Sequence, residues 1–253
     1  MTNDIAGFTG KLLNKFLIGL PDVGSTTLLI LTFIIWAIVC VKVPAYLKIK
    51  RNVRTGFTRK SFHFLVFISV SIINIIWDFT GVCLFGIIIS SFIFYALFKG
   101  ANSGLYLALA READAPKSTL YIILPYLSTL TGGILLNIFY PEYVIVGYLI
   151  CGLADASGEV IGTLYGKHRF QVKIFNFHKS FKSLEGCTSV FLLSFIVYTL
   201  YVYYHFGTVN FGNIALIILS SFIITVTEII SPKGFDNLTI QIMAVVCYIY
   251  LII

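Results

Sequence analysis

The stretch Cys151–Gly186 reads CGLADASGEVIGTLYGKHRFQVKIFNFHKSFKSLEG. It begins inside an apolar run and sets two acids there, Asp155 and Glu159. It then leaves through glycines into a basic loop that closes on KSLEG at 182–186. Acids at i and i+4 share one face of a helix. Gly158, Gly162 and Gly166 recur every fourth residue beside them, the small-xxx-small spacing at which a second backbone approaches closely. An ionisable side chain inside a membrane span is costly and is read first as functional. The stretch therefore reads as the core of a metal- and phosphate-handling site at a membrane surface.

The composition around it agrees with a membrane setting. Of 253 residues, 58% are hydrophobic and 11% charged, too apolar for an ordinary soluble domain. Apolar runs recur along the chain at the ~20-residue length that crosses a bilayer as helix. The net charge of +7 is read as cytoplasmic loop charge and not as a nucleic-acid footprint. The five cysteines are scattered, without a CxxC pair, and read as small buried residues. Residues 1–24 carry Asp4, Lys11 and Lys15 among apolar positions and read as an amphipathic lead-in without a cleavable signal. Residues 25–253 read as one transmembrane catalytic domain.

Eight spans are expected, in an all-α polytopic membrane protein: about 25–43, 61–77, 81–98, 119–139, 143–165, 187–206, 212–230 and the C-terminal run. Alternating them across a bilayer puts the loops after spans one, three, five and seven on one side. Those loops and their flanks hold 16 of the 18 Lys and Arg. By the positive-inside tendency that side is cytoplasmic, and both termini face away. The chemistry-capable loops share the cytoplasmic side. A transporter would instead place polar residues near the midplane in two similar halves, and no such repeat is evident.

Four polar elements meet there. Asp155 and Glu159 suit Mg²⁺, which takes one or two carboxylates together with substrate phosphates; a structural pairing with loop cations is the alternative. Before span six, Ser183 suits an N-cap, and the amides of 183–186 with Lys182 suit a nucleotide phosphate. Arg59, Lys60 and His63 close the first basic loop and suit the same site or, alternatively, lipid headgroups. Arg111, Asp114 and Lys117 form a further cluster, and Glu228, Asp236 and Asn237 add polar groups on the same side. No Walker-type phosphate loop, kinase glycine-rich loop, HExxH or GxSxG occurs.

The ordered series RKSFH (59–63), Asp155 with its glycines, KSLEG (182–186) and KGFDN (233–237) resembles the CTP-dependent membrane lipid kinases. These include phytol kinase, dolichol kinase and the fungal CTP-using diacylglycerol kinase. The resemblance covers roughly residues 55–250. It implies transfer of a phosphoryl group from a nucleoside triphosphate, usually CTP, to a lipid hydroxyl. For such a reaction Mg²⁺ is expected on Asp155, Glu159 and Asp236, and phosphates on Arg59, Lys60, Lys182, Ser183, Glu185 and Gly186. Asp155 and His63 both remain candidates for taking the hydroxyl proton. Ala154 and Cys187 stand where many members carry Gly and Ser. The family is distantly similar to phosphatidate cytidylyltransferases, whose closing His-Gly-Gly…Asp-Arg signature is absent here.

Overall fold

The computed structural model describes residue 10, residues 13–174 and residues 178–253. Residues 1–9, 11 and 12 of the expected lead-in, Asp4 and Lys11 among them, lie outside the described residues. Helix α1 spans Val23–Arg51; Asp22 caps it by accepting from the Ser25 amide, which holds the Asp22 carboxyl below its ordinary pKa. Helix α2 spans Thr55–Lys99 and is followed by the short α3, Gly104–Leu109. Then come α4 (Leu120–Phe139), α5 (Val144–Tyr165), α6 (Leu184–Phe206), α7 (Phe211–Ile230) and α8 (Asp236–Ile252). Six of these helices are long and apolar enough to cross a membrane: α1, α2, α4, α5, α6 and α7. The protein is an all-α membrane protein.

Helix α2 is not one straight rod. Asp78 has φ 48° and ψ −148°, outside the helical region. A Cβ added at Gly81 would lie 2.9 Å from the Ile73 side chain, whereas residues eight apart in a straight helix are separated by about 12 Å. Phe33 of α1 packs edge-on against both Trp77 and Phe85. The two halves of α2 thus lie side by side.

The loop expected over 166–186 contains an antiparallel hairpin, β1 (Arg169–Ile174) with β2 (His178–Ser183), in the register Arg169 opposite Ser183. Its cause is legible in β1, where Arg169, Gln171 and Lys173 alternate with Phe170, Val172 and Ile174 at the strand period of two. The hairpin runs directly into α6. Ser183 is both its last residue and the N-cap of that helix.

The glycine spacing acts as expected from close helix packing. Added Cβ atoms at Gly158 and Gly186 would fall 2.7 Å from Val190 Cγ2 and from the Gly158 carbonyl oxygen, respectively. With no side chain in the way, α5 and α6 meet backbone to backbone.

Candidate active site

Inside α5 the residues Ile150–Asp155 form a π-helical segment between two α-helical ones. Such segments re-aim side chains by one residue and recur at functional sites. Here the π-segment ends on Asp155, whose carboxylate is almost wholly enclosed. Lys60 Nζ, from the start of α2, lies 2.6 Å from Asp155 Oδ2, with both side chains no more than 5% exposed. His63 Nε2 is 2.9 Å from the Cys151 carbonyl oxygen and 3.4 Å from Asp155 Oδ2. A carbonyl only accepts, so Nε2 carries the hydrogen and Nδ1 is the basic nitrogen of the neutral ring.

One turn further along α5, Glu159 gathers three cations. Arg111 Nη2 is 3.2 Å from Oε1, while Arg59 and Lys60 are 3.5 and 3.6 Å from Oε2. Arg111 comes from the loop after α3. Burial draws its guanidinium pKa below the ordinary value, assisted by neighbouring Arg59 and opposed by Glu159. Its Nε is buried without a hydrogen-bond partner. An orphaned donor of this kind is rare and points to a group that completes it.

On the opposite wall, Lys182 at the end of β2 pairs with the carboxylate of Glu228 near the end of α7. Lys233 pairs with Asp114 and lies over the Tyr121 ring at 4.1 Å. The turn beyond it needs Gly234, whose φ is +91°. The Gly234 carbonyl accepts from Ser128 Oγ at 2.7 Å, which docks the turn on α4 and sets Asp236 at the head of α8. Among the described residues, the Asp236 carboxylate accepts from the Asn237 amide and has no cationic partner.

These walls enclose a polar cavity of about 540 Å³. Seven cationic side chains line it against four carboxylates. That excess, in a confined space, suits a polyanion such as a triphosphate. Beside it lies an apolar cavity of about 380 Å³ between the two halves of α2 and α4, to which Tyr148 of α5 also contributes. Arg59, Lys60 and Asp236 line both cavities. His63 lines the apolar one and Asp155 the polar one.

The expected residues are not all brought together. Arg59, Lys60, Asp155, Glu159, Lys182, Ser183, Gly186, Arg111, Glu228 and Asp236 line the polar cavity. Glu185 instead turns to His168, meeting its Nδ1 at 2.8 Å. Lys117 is exposed and lines neither cavity. Asn237 is buried on the apolar side, donating to Thr129 Oγ1 at 2.7 Å and to the Pro125 carbonyl. The start of α6 offers fewer free amides than an open helix end: Gly186 N–H bonds Ser183 Oγ, and Leu184 N–H bonds the His168 carbonyl. Arg54 and Arg169 line the polar cavity without having been singled out from sequence. The alternation in β1 was the available signal for Arg169; Arg54 carries no signal beyond its place in a basic run.

Among the described residues, no three His, Cys, Asp or Glu side chains gather as a ready-made metal cage. The donor set still fits Mg²⁺, which commonly takes only one or two carboxylates and completes its octahedron with phosphates and water. Among the described residues, Asp236 is the carboxylate of this cavity not engaged by a cation, and Asp155 lines the same cavity.

No family model and no solved structure matches this chain. It is similar to the phytol kinase of Synechocystis sp., at 32% identity over 116 residues. The match takes in 44% of this chain and 46% of that protein, so the chain spans a little under half the length of the relative.

Proposed function

We propose that the protein is a membrane kinase that transfers the γ-phosphate of a nucleoside triphosphate, CTP in this reading, to the hydroxyl of a lipid alcohol. One observation carries this most: a cation-rich polar cavity opens beside an apolar one, with Arg59, Lys60 and Asp236 common to both. A phosphoryl donor in the first and a lipid tail in the second would meet at those residues. The similarity to a phytol kinase supports the same reaction class.

In this mechanism Arg59, Lys60, Arg111 and Lys182 neutralise the phosphate oxygens. Phosphoryl transfer needs positioning and charge stabilisation above all, and these residues supply both. Mg²⁺ would sit on Asp236 and Asp155, where it would offset charge on the bound phosphates. His63 Nδ1 takes the hydroxyl proton. Asp155 and the Cys151 carbonyl hold the ring from its other nitrogen, the arrangement that fixes a tautomer in hydrolytic triads. Asp155 is engaged by Lys60 and is thereby the weaker base of the two candidates.

The eight-span topology belongs to the same proposal. A 45-residue α2 would extend about 67 Å as one helix, more than twice the ~30 Å hydrocarbon core, whereas the reversal at Asp78 makes it two crossings. With α8 as a short final crossing, the basic loops and the polar cavity face the cytoplasm.

The test is to incubate purified protein with Mg²⁺, a panel of lipid alcohols and phosphatidate, and CTP labelled at either the γ- or the α-phosphate. Label from the γ position in the lipid phase is expected, and chelating Mg²⁺ should abolish it. Label from the α position would identify a cytidylyltransferase instead. Tightly bound CTP without transfer to any acceptor would also overturn the kinase reading.

A further inference from the structure

The apolar cavity has two polar ends. At one end stand Arg59, Lys60, His63 and Asp236. At the other, buried Asn137 donates to Tyr148 Oη at 2.5 Å and accepts from Asn74 Nδ2 at 3.1 Å. Lys15 Nζ reaches the Asn137 carbonyl from below at 3.4 Å. Asn137 and Tyr148 line the cavity together with Phe79, so its lower end is closed by a hydrogen-bonded cluster beside one aromatic ring.

Two helices give the distance between the ends. His63 to Asn74 is eleven residues of α2, about 16 Å, and Pro125 to Asn137 is twelve residues of α4, about 18 Å. The Pro125 carbonyl is pinned to the upper end by Asn237. Carbon–carbon bonds of about 1.5 Å advance an extended zigzag by about 1.25 Å each, so the cavity takes about 13 to 14 of them. A longer tail would have to part Asn137 from its partners and leave buried polar groups unpaired, which is costly. Its other way out is sideways, where α4 stands apart from the second half of α2 and a Phe94–Tyr126 ring pair, 5.9 Å between centroids, bridges the gap.

We propose that this cavity measures the lipid acceptor: it holds one extended hydrocarbon tail whose length is limited by the Asn74–Asn137–Tyr148 floor. The proposal rests on the kinase reading for its chemistry and on the cavity alone for its binding. Gly86 offers the means to test it. It lines the cavity in the second half of α2, and a Cβ there would meet no atom within 4 Å. Gly81 lies beside Ile73, so Gly86, five residues further on, is level with Ile68, about 7–8 Å below His63. Gly86→Leu therefore starts its side chain in open space and obstructs the cavity at the depth of about 6 carbons.

The experiment uses straight-chain primary alcohols of 4 to 20 carbons at fixed mole fraction in detergent, with the wild-type protein and Gly86→Leu. Two quantities are read: the shift of melting temperature on adding each alcohol, and γ-phosphate transfer from CTP. Both are expected to peak near 14 carbons in the wild type and to fall about tenfold in transfer by 20 carbons, the effect of breaking one buried polar contact. In Gly86→Leu the peak should move to about 6 carbons, with the response to 14-carbon chains lost. A melting shift that ignores chain length, or a peak that Gly86→Leu leaves in place, overturns the proposal. A length-dependent melting shift with no label transferred to any alcohol would preserve the measuring cavity and overturn the kinase reading.

Discussion

Around Asp155 each side chain depends on its neighbours. Lys60 and Asp155 are both buried, and removing one member of a buried pair leaves the other charge uncompensated. Lys60→Met should therefore lower stability by about 3–5 kcal/mol, read as a lower thermal or denaturant midpoint in detergent. Asp155→Asn keeps the shape and a hydrogen-bond acceptor for Lys60. With Glu159 still 3.6 Å from Lys60, it should lower the midpoint but leave the protein folded, while reducing turnover by about 10²–10³-fold or more; retained activity would remove Asp155 from the site. His63→Gln separates the roles: kcat should fall by about 10²-fold or more with CTP binding unchanged. Equal loss of CTP binding would make His63 a nucleotide contact instead of a base.

At the scale of elements, two backbone features hold the site together. The α5–α6 contact leaves no room for side chains at Gly158 and Gly186. Gly158→Leu should push the helices apart, cost about 1–3 kcal/mol and weaken activity, because Glu159 and Lys182 stand on opposite sides of that seam. The reversal in α2 works the other way. Asp78 holds a positive φ that a side chain disfavours, so Asp78→Gly should stabilise the fold by about 1 kcal/mol and raise the melting temperature. The hairpin matters because it delivers Lys182 and Ser183 directly to α6, with Phe170 opposite Lys182 in register.

For the molecule as a whole, charge and hydrocarbon are separated along one axis. The polar cavity gathers residues from α2, the loop after α3, α5, the hairpin, α7 and the turn before α8. The apolar cavity runs away from it between α2 and α4. In the proposed topology both termini are on the side opposite the polar cavity. A tag at the C-terminus should then resist protease added to the cytoplasmic face of sealed vesicles, while a protease site introduced after Lys117 should be cut. Reversed accessibility would overturn the orientation, though not the chemistry.

Hydrophobic length and charge placement are local properties of a chain. Together they determined from sequence alone that this protein is helical and membrane-bound, and they marked Asp155 and Glu159 as polar groups too costly to be incidental. Helical spacing likewise exposed the glycine seam, since a four-residue period shows in a single line of text. What it could not carry was which charges meet. That Lys60 answers Asp155 across 95 positions, that Glu185 turns to His168, and that Asp236 meets no cation among the described residues are consequences of how helices far apart in sequence are packed. The π-segment ending at Asp155 and the apolar cavity with its asparagine floor also arise only in three dimensions, because a groove between helices is bounded by residues that, read singly, look like any other packed surface.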